Sequence, residues 1–465
     1  MNTKRITAIF IALILICLSI LIFAAIQGKA PDSSQISSIA GSQTKSEPTN
    51  SKTDGSSTTN SSQNDEDSSS PSEPSSEPSS EPSSKPPSKD KTLSFVACPD
   101  NIIHPSAYYD AIERANKKDG TKPSYNDLIN AKYDFASIYE NVAAAIAAAD
   151  IAYVNQETLI GGNKYGINGY PMFNTPEAAG EIVAALGFDV INLAHNHMLD
   201  SGDDRYLIGC NNFFQNKKLM TIGYYKNSDD TNNIKIYEKN GVKIAFLAYT
   251  FSTNGVVLKN SQTYIPYFEE SLLKKQVALA KKSADFVIVS CHWGDEDTYT
   301  PNSFQKQYAK LMLSLNVDVV LGMHPHVIQP MSIEKRQDGG DTLLVYSLGN
   351  FVSGMQDGFN MLGGILSFDI TKSAESGKTT FGNVLFTPIV THYTLEKKVK
   401  ADDTGHRNYK IYYLADYTSE LAAKHGAVVW DKTHKPTLYG GAFSKENLIK
   451  TVKTVIPSRF LPPQF

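Results

Sequence analysis

Short apolar runs alternate with longer amphipathic stretches from residue 91 onward. The runs are four or five residues long and rich in Val, Ile and Leu, which is typical of strands buried on both faces. They lie at 93–97, 151–154, 189–193, 243–247, 286–290, 317–321 and 343–346. Between them the spacing of apolar residues predicts helices over 135–149, 176–186, 269–280 and 303–315. This alternation predicts an α/β fold with buried sheets.

The N-terminus has a different pattern. An unbroken apolar run over 6–26 follows Lys4 and Arg5, and it is long enough to cross a bilayer as a helix of about 20 residues. The basic flank predicts a cytoplasmic stub at 1–5 and a single-pass anchor in the cell membrane, with the rest of the chain extracellular. A cleaved signal peptide is the alternative, although its apolar region is usually about 7–15 residues long.

Residues 27–90 form a segment rich in Ser, Pro and Glu, in which the unit Ser-Glu-Pro-Ser recurs. Such a composition buries too little apolar surface to fold, so it predicts a disordered linker. The linker precedes a predicted domain at 91–415, which a C-terminal extension follows at 416–465. The folded part is therefore expected on the cell-wall side of the membrane.

Residues that can bind metals follow most of the predicted strands. In α/β sheets the carboxyl ends of parallel strands share one edge, where ligands bind. In chain order these residues are Asp100, Asn101 and His104, then Asn155 and Glu157, then His195, Asn196, His197 and Asp200, then His292, then His324 and His326, and finally Asn350. Six of the ten histidines lie in these segments, so we expect one site built from several strand ends.

This set of side chains suits divalent metal ions, and two of them in particular. Carboxylates can bridge two ions, imidazoles and Asn oxygens complete the shells, and Mn, Fe and Zn all accept such ligands. Two ions about 3.5–4 Å apart activate a water and hold a phosphoryl group, while a neighbouring His protonates the leaving oxygen. No Cys-x-x-Cys pair occurs, which argues against a structural zinc site.

The same segments are similar, in order, to the motifs of a known family. They are Asp100-Asn101, Asn155-Gln156-Glu157-Thr158, residues 192–200, His292-Trp293-Gly294, His324-Pro325-His326 and Tyr346-Ser347-Leu348-Gly349-Asn350-Phe351. Together they resemble the CapA family of bacterial capsule or poly-γ-glutamate synthesis proteins, itself similar to calcineurin-like metallophosphoesterases. The resemblance implies a four-layer sandwich of two mixed β-sheets flanked by helices.

The resemblance also implies roles for individual residues. The metal ligands expected from it are Asp100, Glu157, Asn196, His292, His324 and His326, and the expected catalytic general acid is His197. Residues expected to contact substrate or to support the ligands are Asn101, His104, Asn155, Asp200, Trp293 and Asn350.

The first motif departs from the family pattern. Pro99 stands where family members have Gly, and a proline lacks an N–H and restricts the residue before it. The Asp-x-His pattern of most metallophosphoesterases is also absent, because His104 lies four residues after Asp100 rather than two. These departures predict a displaced Asp100 or a reshaped loop, and a weak or missing metal position.

Each assignment has a structural alternative. His324 and His326 suit a hydrogen-bonded turn, Asn196 and His197 suit a helix cap, Glu157 suits a pair with a lysine, and Trp293 suits an aromatic core corner. The remaining histidines fit no strand-end pattern and are expected on the surface or in loops. These are His392, His406, His425 and His434.

Charge narrows the functional classes. The chain carries −4 at pH 7, while the stretch from Pro31 to Asp90 has ten acids and four lysines, so the folded part is near neutral and no nucleic-acid partner is expected. One hypothesis is a metal-dependent phosphoesterase-like hydrolase acting on an anionic polymer or a phosphorylated cell-envelope substrate. The other is a non-catalytic, metal-stabilised accessory protein that binds the polymer or membrane synthase subunits.

Overall fold

The computed structural model describes residues 89–465. The predicted membrane segment at 6–26 lies outside the described residues, as does all but the end of the predicted linker. Within 89–465 no helix is both long and apolar enough to span a bilayer.

Fourteen strands run through the described residues. In chain order they are β1 (Lys91–Asn101), β2 (Ile151–Asn155), β3 (Val190–Asn192), β4 (Met220–Ile222), β5 (Lys235–Lys239), β6 (Val242–Thr250), β7 (Phe286–His292), β8 (Val319–Met323), β9 (Met331–Lys335), β10 (Asp341–Val345), β11 (Asn350–Val352), β12 (Leu362–Lys372), β13 (Thr379–Leu395) and β14 (His406–Tyr413). All seven predicted runs overlap one of these strands.

The strands form two mixed sheets. The larger sheet has the order β14-β13-β12-β1-β2-β3-β4, and β11 pairs with β1. Its strands β1 to β4 are parallel, whereas β12 to β14 are antiparallel. The smaller sheet has the order β5-β6-β7-β8-β10-β9, with four parallel central strands and antiparallel edges. Two mixed sheets are what the resemblance implies.

Ten α-helices accompany the sheets in this part of the chain. They are α1 (Pro105–Asp119), α2 (Ala136–Tyr139), α3 (Ala143–Ala147), α4 (Glu177–Ala185), α5 (Arg205–Asn216), α6 (Glu270–Ser283), α7 (Ser303–Ser314), α8 (Ser419–Lys424), α9 (Gly426–Trp430) and α10 (Lys445–Val455). The single helix predicted over 135–149 is wrong, since α2 and α3 are separate. The turn between them lets Tyr139 and Val142 both enter the core.

Alternate residues of the central strands enter two different cores. In β6, Ile244 and Phe246 face the core shared with the larger sheet, whereas Ala245 and Leu247 face a second core formed with α6 and α7. Successive strand residues point to opposite faces, so a sheet covered on both sides needs an unbroken apolar run. Burying each large aliphatic side chain contributes about 1.5–3 kcal/mol.

Three histidines of the C-terminal part lie inside the fold, so the prediction of surface positions is wrong for them. His392, His406 and His425 are at most 4% exposed. They are buried because β13 and β14 extend the larger sheet and α9 packs against β13. His425 also caps α9, since its Nδ1 accepts the N–H of Ala427 at 2.9 Å. His434 is exposed, as predicted.

Candidate metal centre

Four strand ends from the two sheets meet at one buried position. Asp100 lies near the end of β1 and Glu157 lies two residues after β2, both in the larger sheet. His292 ends β7, and His324 and His326 follow β8, both in the smaller sheet. These five side chains are at most 5% exposed. The two sheets therefore bring together residues that are more than 200 positions apart in the chain.

Asp100, Glu157 and His326 form a first group of donor atoms. Nδ1 of His326 lies 3.3 Å from Oδ2 of Asp100, and Nε2 of the same ring lies 3.4 Å from Oε1 of Glu157. One ligand atom from each residue lies within 4.8 Å of the other two. The group can surround a single cation.

Glu157, His292 and His324 form a second group under the same distance limit. Nε2 of His292 lies 3.9 Å from Oε1 of Glu157 and 2.9 Å from Oδ1 of Asn196, which adds an amide oxygen to the group. The other end of the Asn196 amide donates to Oδ1 of Asn254 at 3.3 Å, so its oxygen faces the imidazole. Glu157 therefore belongs to both groups.

The donor atoms of these groups include buried atoms that lack partners. Both carboxylate oxygens of Glu157, and Nδ1 of His292 and of His324, have no hydrogen-bond partner among residues 89–465. A buried carboxylate is costly unless a donor or a cation neutralises it. Carboxylate oxygens, imidazole nitrogens and an amide oxygen in this number are ligands that Mn, Fe and Zn accept. The residues present therefore fit divalent cation binding.

The protonation of the cluster also depends on its burial. Burial raises the pKa of Glu157 well above its usual range and lowers the pKa of His292 and of His324 well below theirs. Burial also acts to lower the pKa of His326, but Glu157 and Asp100 together raise that pKa to about 10. Metal ligands must be neutral imidazoles and ionised carboxylates, so cation binding here would release protons.

A series of amide side chains fixes the orientation of Asp100. Nδ2 of Asn192 donates to Oδ1 of Asn155, and Nδ2 of Asn155 donates to Oδ1 of Asp100, both at 2.7 Å. The second oxygen of Asp100 accepts the backbone N–H of His324 at 3.1 Å. Hydrogen bonds of this kind hold a ligand in place before the cation arrives.

The His-Pro-His segment has an unusual backbone. His324 and His326 have φ values of 95° and 56°, which residues other than Gly rarely adopt. Each such residue costs on the order of 1 kcal/mol, and such residues cluster at functional sites. Asn350 supports the segment, because its Nδ2 donates to the carbonyl oxygen of His326 at 3.2 Å and its Oδ1 lies 3.1 Å from Nδ1 of that ring.

With Pro99 before it, Asp100 lies in the first group of donor atoms. The pairing of β1 with β2 shifts register between Cys98 and Asp100, and the pairing of β1 with β12 ends at Ala97. Pro99 therefore lies in an irregularity of the ladder, where a proline is tolerated because no ladder hydrogen bond needs its N–H. The backbone accommodates the proline, and Asp100 remains in the first group.

The missing Asp-x-His histidine has no replacement in the first group. Ile102 occupies that position and is 3% exposed. Nδ1 of His104 accepts the N–H of Gly354 at 3.0 Å, and burial lowers the pKa of His104 to about 3, so the ring is neutral. The first group therefore has three protein ligands, whereas the second has four with Asn196.

His197 lies beside the cluster and faces a cavity. Its Nδ1 donates to Oδ2 of Asp200 at 2.8 Å, and the same oxygen accepts the N–H of Phe173 at 2.7 Å. The carboxylate holds the ring through Nδ1, which leaves Nε2 to exchange a proton with a group in the cavity. The cavity has a volume of about 410 Å³. Its lining includes Glu157, His326, His104, Tyr170, Phe173, Glu296, Asp402 and Thr404.

Two of the predicted supporting residues lie elsewhere. Trp293 is buried in the core formed with α6 and α7, because it is the next residue after His292 and takes the opposite direction. Its Nε1 donates to the carbonyl oxygen of Tyr346 at 2.9 Å, so it is an aromatic core residue rather than a substrate contact. Asn101 binds Gln156 and Tyr139 at 2.8 Å, behind Asp100.

Glu296 is a site residue that the sequence analysis did not assign. It forms a third group of donor atoms with His324 and His326, and its Oε1 lies 4.0 Å from Nε2 of His324. Its side chain is 49% exposed, which places it at the cavity mouth. Its position could have identified it from the sequence, because Glu296 lies four residues after His292, in the loop that follows β7.

Comparison with known proteins identifies a matching family and two relatives. Residues 94–355 match the model of the family described as bacterial capsule synthesis protein PGA_cap. The PGA biosynthesis protein CapA of Bacillus subtilis (strain 168) is 28% identical over 260 residues, which are 56% of this chain and 65% of that protein. The capsule biosynthesis protein CapA of Bacillus anthracis is 34% identical over 175 residues, which are 37% of this chain and 41% of that protein. The matches thus span less than two thirds of either relative.

Solved structures show only a distant likeness. An NAD nucleotidase of Haemophilus influenzae is 13% identical with a TM-score of 0.37, over 79% of this chain and 60% of that chain. A 5'-nucleotidase described as putative, from Staphylococcus aureus, is 12% identical with a TM-score of 0.39, over 67% and 57% of the two chains. The family match covers more than half of the chain, and the chain therefore belongs to the PGA_cap family of bacterial capsule synthesis proteins.

Proposed function

We propose that this chain is a hydrolase of phosphoesterase type that depends on two divalent cations and acts in capsule or poly-γ-glutamate synthesis. The observation that carries the proposal is Glu157, which is shared by two groups of donor atoms and whose buried oxygens lack partners. The biosynthetic setting follows from the PGA_cap family and from its CapA relatives. An anionic polymer or a phosphorylated component of the cell envelope is the proposed substrate class.

When bound, two cations sharing Glu157 would supply an activated water and would neutralise the charge of a phosphoryl group. Asp100, Glu157 and His326 would hold one cation, and Glu157, Asn196, His292 and His324 would hold the other. The chain's own residues then carry the proton. His197 lines the cavity and donates from Nε2 to the leaving oxygen, while Asp200 holds the ring by its Nδ1. General acid catalysis of this kind contributes roughly 10²–10⁴-fold to a rate.

The proposal includes a place in the cell. The apolar run at 6–26 would anchor the chain in the membrane, and the Ser-, Pro- and Glu-rich segment at 27–90 would hold the domain on the outer side. Membrane synthase subunits are the proposed protein partners. A protease added to intact cells should cut the linker if this orientation is right, and a chain that is protected until the cells are broken would contradict it.

One observation favours a second candidate function. The first group of donor atoms lacks the histidine of the Asp-x-His pattern, and Ile102 stands in its place. With three protein ligands, that position would hold its cation less tightly than the other. A chain that keeps only one cation would serve as a metal-stabilised accessory protein that binds the polymer or a synthase subunit without turnover.

Activity and metal content measured together separate the two candidates. The full chain in detergent would be loaded with Mn²⁺, analysed for bound metal, and assayed with bis(p-nitrophenyl) phosphate and p-nitrophenyl phosphate. His197→Ala should keep the metal and lower kcat by roughly 10²–10⁴-fold. His434→Ala is the matched control, because His434 is exposed and does not line the cavity.

The outcomes are distinct. Two ions per chain, turnover by the wild type and loss of turnover only in His197→Ala would support the hydrolase. A wild type that holds metal but hydrolyses neither ester would favour the accessory protein. Equal turnover by the wild type and by His197→Ala would refute the role of His197.

A further inference from the structure

The cavity beside the metal centre has an unusual charge for a site that would receive a polyanion. Three of its lining residues are carboxylates, Glu157, Glu296 and Asp402, and no Lys or Arg lines it among the described residues. Sites for carboxylate or phosphate groups generally use Arg or Lys. Two cations at the centre would attract one phosphoryl group, but the rest of the lining has no Lys or Arg to pair with further anions.

Asp402 is held in the cavity wall by neutral donors. The hydroxyls of Tyr109 and Tyr108 donate to its two oxygens at 2.9 and 3.3 Å. Burial raises the pKa of both phenols, so they remain protonated donors at neutral pH. No Lys, Arg or His nitrogen of the described residues lies within 4.0 Å of the Asp402 carboxylate. The carboxylate is exposed, and the two tyrosine hydroxyls hold it in position without a cationic partner.

The loop that carries Asp402 is anchored from the other side. The next residue, Asp403, accepts hydrogen bonds from Nη1 and Nη2 of Arg407 at 3.0 and 2.7 Å. Nε of Arg407 donates to Glu113 of α1 at 2.7 Å, and the Arg407 side chain is 1% exposed. A buried arginine that bridges the loop to a helix gives the loop one geometry. Asp402 thus has the rigidity that a specificity residue needs.

Aromatic rings line the same cavity. Tyr170 is 73% exposed, and Phe173 packs edge-on against His197 and His104 with ring centroids 4.9 and 5.5 Å apart. The faces of such rings attract cations, most strongly where water is partly excluded. Ile102, Pro105 and Met355 complete the apolar part of the lining. A carboxylate beside aromatic and apolar surface is the chemistry that recognises an organic ammonium group.

We propose that the cavity selects phosphate esters that carry an ammonium group, with the phosphoryl centre at the metal cluster and the ammonium against Asp402. This specificity rests on the proposed hydrolase function. It assigns Asp402 to substrate binding, and it excludes a chain of free carboxylates from the inner cavity. An acidic polymer would then contact the protein outside this cavity.

Two chromogenic diesters test the proposal with the full, Mn²⁺-loaded chain in detergent. p-Nitrophenyl phosphorylcholine carries a quaternary ammonium group, whereas bis(p-nitrophenyl) phosphate carries none, and both release p-nitrophenolate. Asp402→Asn keeps an oxygen acceptor for the tyrosine hydroxyls but removes the charge. It should lower kcat/KM for the phosphorylcholine ester by about threefold to fivefold, as expected for an exposed ion pair, mainly through KM. Turnover of the other ester should change little.

Asp416→Asn is the matched control, because Asp416 is an exposed carboxylate that does not line the cavity. It should leave both esters unaffected. Equal losses for both esters in Asp402→Asn, or no loss for either, would overturn the specificity and leave the hydrolase proposal standing.

Failure of the hydrolase proposal would show itself differently, as the absence of turnover of either ester by the wild type. In that case calorimetry with phosphocholine and with inorganic phosphate tests Asp402 alone. Weaker binding of phosphocholine but not of phosphate in Asp402→Asn would support the ammonium site. Equal binding of phosphocholine by the wild type and the variant would refute it.

Discussion

Glu157→Gln is predicted to remove the stabilisation of the fold by metal while leaving the metal-free protein almost unchanged. The carboxylate is shared by both groups of donor atoms, so its loss affects both cations. In the metal-free protein neither oxygen has a hydrogen-bond partner among residues 89–465, and His326 keeps its 3.3 Å contact with Asp100. A neutral amide of the same shape loses the 3.4 Å contact of Glu157 with His326, but it also relieves the cost of burying a carboxylate, so the net change there is small.

The size of the effect follows from linkage. A cation at 100 times its Kd adds about 2.7 kcal/mol to the free energy of unfolding for each site that it fills. For a folded part of about 380 residues, an unfolding entropy of about 2.1 cal/mol/K per residue converts this into a rise in Tm of roughly 3 °C per site. Two sites should therefore raise the Tm of the wild type by roughly 7 °C.

Thermal unfolding with EDTA and with Mn²⁺ measures this difference directly. Glu157→Gln should lose most of the rise, because a neutral amide oxygen is a poor bridge between two cations. Glu375→Gln is the control, since Glu375 is exposed in the turn between β12 and β13 and should respond as the wild type does. A full metal-dependent rise in Glu157→Gln would refute the shared ligand. A Tm far below that of the wild type in EDTA would show that the carboxylate is structural instead.

Two further predictions concern histidines. His326→Ala removes the sole imidazole of the first group and should lower the metal content from two ions per chain towards one, so unchanged stoichiometry by metal analysis would contradict its role as a ligand. Burial lowers the pKa of His406 to about 3, below its unfolded value of about 6.5. Its contribution to stability is thus complete above that unfolded value and falls by about 2 kcal/mol between pH 7 and 5, as the unfolded chain takes up the proton. In urea unfolding, His406→Gln should lose less free energy of unfolding than the wild type between pH 7 and 5. An equal loss in the two proteins would refute the role of His406.

Much of the centre could be predicted from the sequence because strands and their ends are local features. The end of a strand is visible in the sequence, because the apolar run stops there. Parallel strands place such ends at one edge of a sheet. Glu157, His292 and His326 could be placed at that edge for that reason, while their roles as ligands came from the family resemblance. The adjacency of the two sheets, which brings β2 and β8 together, came only through the family resemblance.

Other features depend on contacts that the sequence does not display. The effect of Pro99 depends on the register of the neighbouring strand, which has an irregularity at that position. The direction of Trp293 follows from the pleat of β7 and the helices that cover it. Asp402 reaches the cavity from a loop between β13 and β14, about 300 residues after the first motif. The burial of His406 likewise requires the extended edge of the larger sheet.

Metal titration of the stripped chain measures whether hydrolysis depends on two bound cations. The full chain would be treated with EDTA, freed of the chelator, and assayed for hydrolysis of bis(p-nitrophenyl) phosphate as Mn²⁺ is added. We expect no hydrolysis without metal and recovery that is complete at two ions per chain. Hydrolysis by the stripped chain, or binding of two ions without any hydrolysis, would contradict it.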